Sequence, residues 1–169
     1  MRNNDVQTGN CQLVNDSAFQ HCLDAAYHYL SYRPRSEGEI KQRLHQRGFD
    51  TEVVEKTTTK LKEQKLVDDY AFAQFWKDNR LSFKPKSKRL IEQELANKKV
   101  AQEIVEQVTK DIDDMDNACK VGRRRMHILA KLDYPDFQRR LSNYLSYRGF
   151  SYEVIKRTIA LLWQQKEPY

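Results

Sequence analysis

Residues 40–61, IKQRLHQRGFDTEVVEKTTTKL, return in altered form as residues 91–112, IEQELANKKVAQEIVEQVTKDI, and again as residues 141–162, LSNYLSYRGFSYEVIKRTIALL. Leu44, Leu95 and Leu145 hold the same place in each copy, 51 and 50 residues apart. A fixed period of that size is the mark of a repeat architecture. Behind each leucine the apolar positions are Phe49, Val53, Val54, Thr57 and Leu61; then Val100, Ile104, Val105, Val108 and Ile112; then Phe150, Val154, Ile155, Thr158 and Leu162. Spacings of i, i+1, i+4 and i+8 fall on one stripe of a helix with about 3.6 residues per turn, so each copy ends in an amphipathic helix.

Working outward, Ile40 and Leu44, Ile91 and Leu95, and Leu141 and Leu145 are pairs four apart on one face of a shorter preceding helix. Pro34, Pro85 and Pro135 stand before these helices and separate each from a longer one upstream, because proline cannot continue a helix interior. The longer helices are expected over Ser17 to Tyr32, Asp69 to Ser82 and Asp116 to Leu132. Ser36-Glu37-Gly38-Glu39 reads as a capping box. Gly48 and Gly149 sit where a helix ends on a left-handed residue, with Asp50 and Ser151 as N-caps of the helices that follow. In the middle copy Lys99 takes the glycine slot and Ala101 the cap slot, which predicts looser helix ends there. The expected fold is all-α: three tandem three-helix repeats in an elongated, curved array. Residues 17–68, 69–115 and 116–169 form the repeats, and residues 1–16 a mobile leading segment.

Composition agrees. Of 169 residues, 32% are charged and 39% hydrophobic, with five glycines and four prolines, which suits long helices with solvated faces better than a large sheet-based enzyme. Cys11, Cys22 and Cys119 are odd in number and form no CxxC pair, so neither a disulfide framework nor a zinc knuckle is indicated. No apolar run reaches the ~20 residues of a membrane span, and the first residues lack a signal core. A cytoplasmic monomer with no membrane association is expected.

Thirty Lys and Arg against 24 Asp and Glu favour polyanionic partners. Between Lys77 and Lys99 the local net charge is +5, and Lys120, Arg123, Arg124, Arg125 and Lys131 form a second basic cluster. Glu103 to Asp116 is acidic. Of three consecutive arginines two can face solvent together, while Met126 and Leu129 must turn inward. Tyr29, Tyr32, Phe83, Tyr144, Tyr147 and Tyr152 lie among these charges, and rings left exposed could stack single-stranded bases, although packing accounts for most such residues. Tyr147, next to a helix end, is the best candidate for exposure.

Catalytic signals are sparse. The four histidines form no HExxH pattern, no phosphate-cradling glycine loop is present, and adjacent Asp68 and Asp69 diverge by about 100° on a helix. Asp69 reads instead as the N-cap of the next helix. Neither catalysis nor a cofactor nor a metal is expected.

Arg35-Ser36-Glu37-Gly38-Glu39-Ile40 with Leu44 and Gly48, Leu66-Val67-Asp68-Asp69 with Phe72-Ala73, Ile91-Glu92-Gln93-Glu94-Leu95, and Tyr147-Arg148-Gly149-Phe150 together resemble the RecX family over about Ala18 to Trp163. The chain departs from the family pattern at Ser87-Lys88, where Gly-Pro is common, and at Lys99. The resemblance implies a regulator in recombination, DNA repair and the SOS response that binds RecA. It would lie along the groove of the RecA filament on single-stranded DNA and suppress its ATPase and strand exchange. On that reading the contacts to RecA or DNA are Arg33, Arg35, Lys84, Lys86, Lys88, Arg89, Arg123, Arg124, Arg125, Tyr147 and Arg148. Two rival readings are a sequence-independent nucleic-acid-binding repeat protein acting without RecA, and a helical scaffold for another protein.

Overall fold

The computed structural model describes the backbone of residues 5–165 and the side chains of residues 16–165. Among the described residues all regular structure is helical: α1 (Asp5–Leu30), α2 (Glu37–Gln46), α3 (Thr51–Glu63), α4 (Asp69–Phe83), α5 (Lys88–Asn97), α6 (Gln102–Thr109), α7 (Asp114–Arg123), α8 (Met126–Leu129), α9 (Tyr134–Tyr147) and α10 (Tyr152–Gln164). The chain gathers into two compact units, the first of Met1–Ala73 with Lys98–Ala101, the second of Gln74–Asn97 with Gln102–Tyr169. Of the leading segment expected to be mobile, residues 1–4 lie outside the described residues, and the rest belongs to α1.

In the first unit, α1 and α2 pack on α3, and the apolar stripes meet as the sequence requires. Cys22, Leu23 and Ala26 face Ile40, Leu44, Val53, Val54 and Leu61, all buried. Each fully buried leucine contributes about 2 kcal/mol through removal of apolar surface from water. Thr58 is buried on the same helix without penalty because its hydroxyl donates to the Val54 carbonyl at 3.0 Å. The Ser36 capping box forms: the hydroxyl accepts from Glu39 N at 3.1 Å and the Glu39 carboxylate accepts from Ser36 N. Asp50 occupies the N-cap of α3, but its carboxylate makes no cap bond.

Asp69 differs from its expected role. Asp68 caps α4, accepting from Ala71 N at 3.0 Å, while Asp69 accepts from Glu37 N at 2.7 Å and so caps α2. The second unit repeats the device. Asp114, at the start of α7, accepts from Lys88 N, the first amide of α5, at 2.7 Å.

In the second unit α7, α9 and α10 enclose Ala118, Val121, Phe137, Leu141, Leu145, Ile155, Ile159 and Leu162, and Ile91, Leu95, Val105 and Val108 are buried along α5 and α6. The single helix expected over Asp116 to Leu132 is two helices. Asp113 accepts from Met115 N and Asp116 N and starts α7 early. The chain then tightens where Arg125 N bonds the Gly122 carbonyl at 2.9 Å, and α8 begins anew at Met126. The tightening aims Arg123 and Arg124 at solvent and turns Arg125, Met126 and Leu129 inward. Lys99 keeps the left-handed geometry of the glycine slot, at φ +62°, so the middle turn is preserved with a side chain.

Candidate functional site

Whether a basic side chain can meet a partner depends on what already holds it, and the eleven candidate residues divide on that test. In the first unit Arg33 pairs with Glu39 at 2.7 Å. Arg35 lies 4.0 Å above the Tyr29 ring and 3.9 Å from the same carboxylate, which also takes Lys98 at 3.0 Å. Burial pushes the Glu39 carboxyl up, but hydrogen bonds from Arg33 and Lys98 outweigh burial and hold it below the ordinary carboxylate value. Both candidate arginines of this unit are therefore structural.

The second unit has an equivalent node on Glu94, which accepts from Arg80 Nε at 2.6 Å, from Trp76 Nε1 at 2.9 Å and from Lys86. Burial raises this carboxyl too, and the three donors outweigh it. A third node is aromatic. Arg125 and Arg148 lie 4.2 Å and 4.6 Å from the centre of the Tyr144 ring, and Arg148 Nη2 donates to the Tyr144 hydroxyl at 2.7 Å. Burial would raise the hydroxyl pKa, but these two cations hold it below its ordinary value. Lys88 sits 4.0 Å from Glu92.

What remains is smaller and more exposed. Among the described residues Lys84, Arg89 and Arg123 have no carboxylate partner, and Arg124 reaches only the Ser82 carbonyl, at 3.5 Å. Phe83 is 75% exposed and Tyr147 88%. Ser87 N donates to the Arg148 carbonyl at 3.0 Å, and Arg148 Nη1 donates to the Pro85 carbonyl at 3.0 Å. These bonds, with Arg124 on Ser82, stitch the α4–α5 linker to the ends of α7 and α9. Phe83, Lys84, Arg89, Arg124 and Tyr147 thus share one region of the unit. Such a surface offers exposed cations beside exposed rings, a combination suited to phosphates with unstacked bases or to an acidic protein face.

By sequence Phe83 is one of six aromatics among the charges, most of which packing accounts for. Its signal was positional, since it stands 51 residues after Tyr32, which is itself 69% exposed and also two residues before a proline. Among the described residues no three His, Cys, Asp or Glu side chains converge as metal ligands, and no helix is long and apolar enough to cross a membrane.

The Glu94 node yields a direct test. Its lowered pKa means the unfolded chain binds the proton more readily than the folded chain, so the node stabilises above the unfolded value and is lost as pH falls through the folded one. Burial holds Asp69 and Asp114 above their ordinary value, and they act in the opposite sense: charging them as pH rises costs stability. Glu94→Gln leaves Arg80 and Lys86 without their counter-ion, at a cost of about 1–3 kcal/mol at neutral pH. The difference from the parent chain shrinks as pH falls through that folded value and Glu94 is itself protonated. Urea midpoints of both proteins followed from neutral pH into acid check this, and a gap unchanged in acid would reject the node.

Three family models match in succession: the RecX first three-helix domain over residues 22–61, the second over residues 68–108, and the third over residues 111–159. Regulatory protein RecX of Chlorobium limicola is 32% identical over 135 residues, covering 80% of this chain and 85% of that protein. The Finegoldia magna protein of the same name is 29% identical over 150 residues, covering 86% and 73%. The crystal structure of RecX from Lactobacillus salivarius matches with a TM-score of 0.73 at 21% identity, over 87% of this chain and 97% of that one, a likeness of fold. Three domains in order, joined by half-buried caps that tie the start of one three-helix set to the middle helix of the set before it, make this chain a member of the RecX family of regulatory proteins.

Proposed function

We propose that this chain restrains RecA: it binds the RecA filament on single-stranded DNA and inhibits ATP hydrolysis and strand exchange. Family membership supplies the class of partner. The observation that carries the reading is a set of exposed cations without carboxylate partners among the described residues, Lys84, Arg89 and Arg123, all in the second unit, the first two sharing a region with Phe83, Arg124 and Tyr147. A filament repeats its acidic and phosphate groups along its length, so several modest contacts from one chain add through effective concentration. The interaction is electrostatic in its outer part and weakens with salt.

The test is RecA ATPase on single-stranded DNA with increasing amounts of the protein. Turnover falls to a plateau in a dose-dependent way, and the required dose rises with salt. Exposed Phe83 and Tyr147 favour a second reading, in which the protein binds single strands without RecA. Tight, salt-sensitive binding to a labelled oligonucleotide, with RecA turnover untouched at saturation, would select that reading over the first.

A further inference from the structure

Twice in this chain a turn between two helices docks on the N-terminus of another helix. In the first unit the α5–α6 turn meets the start of α2: Ser36 Oγ donates to the Lys98 carbonyl, and a side chain at Gly38 would collide with the Lys99 Cβ. In the second unit the α9–α10 turn meets the start of α5: Ser87 N donates to the Arg148 carbonyl, and a Cβ on Gly149 would fall 2.7 Å from Ser87 Oγ and 2.9 Å from Leu90 Cβ. Each clasp therefore contains one glycine at the closest approach, on the helix side in the first and on the turn side in the second.

The α2–α3 turn, Arg47-Gly48-Phe49, has the same construction. Gly48 has φ +87° where Gly149 has +84°, and its bonds to the end of α2, Gly48 N to the His45 carbonyl and Phe49 N to the Leu44 carbonyl, match those of Gly149 and Phe150 at the end of α9. Yet among the described residues nothing lies within 4 Å of a Cβ built on Gly48, and no donor reaches the Arg47 carbonyl, the counterpart of Lys98 and Arg148. Beside it is a depression of about 490 Å³ lined by His21, Asp24, Ala25, His28, Arg47 and Phe49.

We propose that the α2–α3 turn is a docking site for the N-terminus of a helix from another protein, one that opens Pro-X-Ser as α2 and α5 do. The interface continues one that the chain already builds twice. A helix N-terminus carries partial positive charge, and the Arg47 carbonyl and the exposed Asp24 carboxylate offer the negative groups it favours. A second copy of this chain does not supply the occupant. Its α2 and α5 N-termini are covered by their own turns. Its α9 starts a turn early on the Asp133 cap, with buried Phe137 in the place of Ser36 and Ser87. The proposal stands apart from the filament reading and does not depend on RecA.

The probes are two synthetic peptides held helical by a side-chain lactam in the last turn, copies of residues 83–97 and 32–46, added to the isotope-labelled full chain and followed by amide NMR. The 83–97 peptide produces saturable shifts confined to Arg47, Gly48, Phe49 and the facing turn of α1, and Ser87→Val in the peptide weakens binding at least tenfold. Gly48→Lys, which copies the left-handed Lys99, rejects the 83–97 peptide and retains the 32–46 peptide, whose Gly38 supplies the missing space. Unperturbed spectra elsewhere confirm that the variant is folded. Absence of shifts at the turn, scattered shifts, a variant that treats both peptides alike, or shifts at the turn caused by unlabelled full chain would each overturn the proposal.

Discussion

Gly149→Ala lowers stability by about 3 kcal/mol, while Gly48→Ala, at a turn of the same geometry, costs about 1 kcal/mol. Both residues sit at positive φ, +84° and +87°, and both substitutions incur the left-handed penalty of an L side chain. At Gly149 the space is filled as well, since the new methyl group would press on Ser87 Oγ and Leu90 Cβ, whereas no described residue fills the space over Gly48. In a chain of this length the two changes correspond to falls in Tm of roughly 6–12 °C and 2–4 °C. Gly38→Ala separates the terms from the other side. Gly38 is helical, where alanine would ordinarily gain about 0.5–1 kcal/mol, so a loss there reports the steric clash with Lys99 alone. Thermal unfolding of the three variants beside the parent chain decides the matter. Equal shifts for Gly149→Ala and Gly48→Ala would mean that the turn on α5 is loosely packed and that the clasp contributes little.

The helices and their apolar faces were legible in the sequence because period and burial are written in the same residues. Leu44, Leu95 and Leu145 are each 1% exposed or less, and the left-handed turns fall at Gly48, Lys99 and Gly149 as the repeat requires. Features that depend on partners distant in the chain were not legible. Asp69 looks like a local cap, and only the folded chain shows it 2.7 Å from Glu37 N, 32 positions away. Lys99 looked like a defect because its compensation, Gly38, lies in another helix. The same limitation explains the candidate site. Charge counting cannot distinguish Lys86, held by Glu94, from Lys84, which has no carboxylate partner among the described residues, though the two are neighbours across Pro85. Of the basic residues singled out, Arg33, Arg35, Lys86, Arg125 and Arg148 are held by partners within the fold, whereas Lys84, Arg89, Arg123 and Arg124 are exposed.

That division sets the size of the second effect. If the chain restrains RecA as proposed, reversing Lys84, Arg89 and Arg123 together to glutamate weakens inhibition about 100-fold near 0.1 M salt, because attraction lost and repulsion gained together cost about 0.9 kcal/mol per residue after screening. If phosphates are the groups contacted, the slope of log affinity against log salt falls by about 2–3. Folding is spared, since none of the three residues is paired with a carboxylate among the described residues. The companion pair Arg35→Glu and Lys86→Glu does the reverse. It sets like charges against Glu39 and Glu94, lowers the denaturation midpoint, and affects inhibition only as far as the fold is lost. Reversal of the exposed Lys56, Lys60 and Lys156, none of them a candidate contact, changes net charge by the same amount. If that set weakened inhibition as much as the first, the effect would belong to overall charge rather than to a surface. If the first set left inhibition intact, these three cations would have no part in restraining the filament, and contact would have to run through residues that the fold itself already uses.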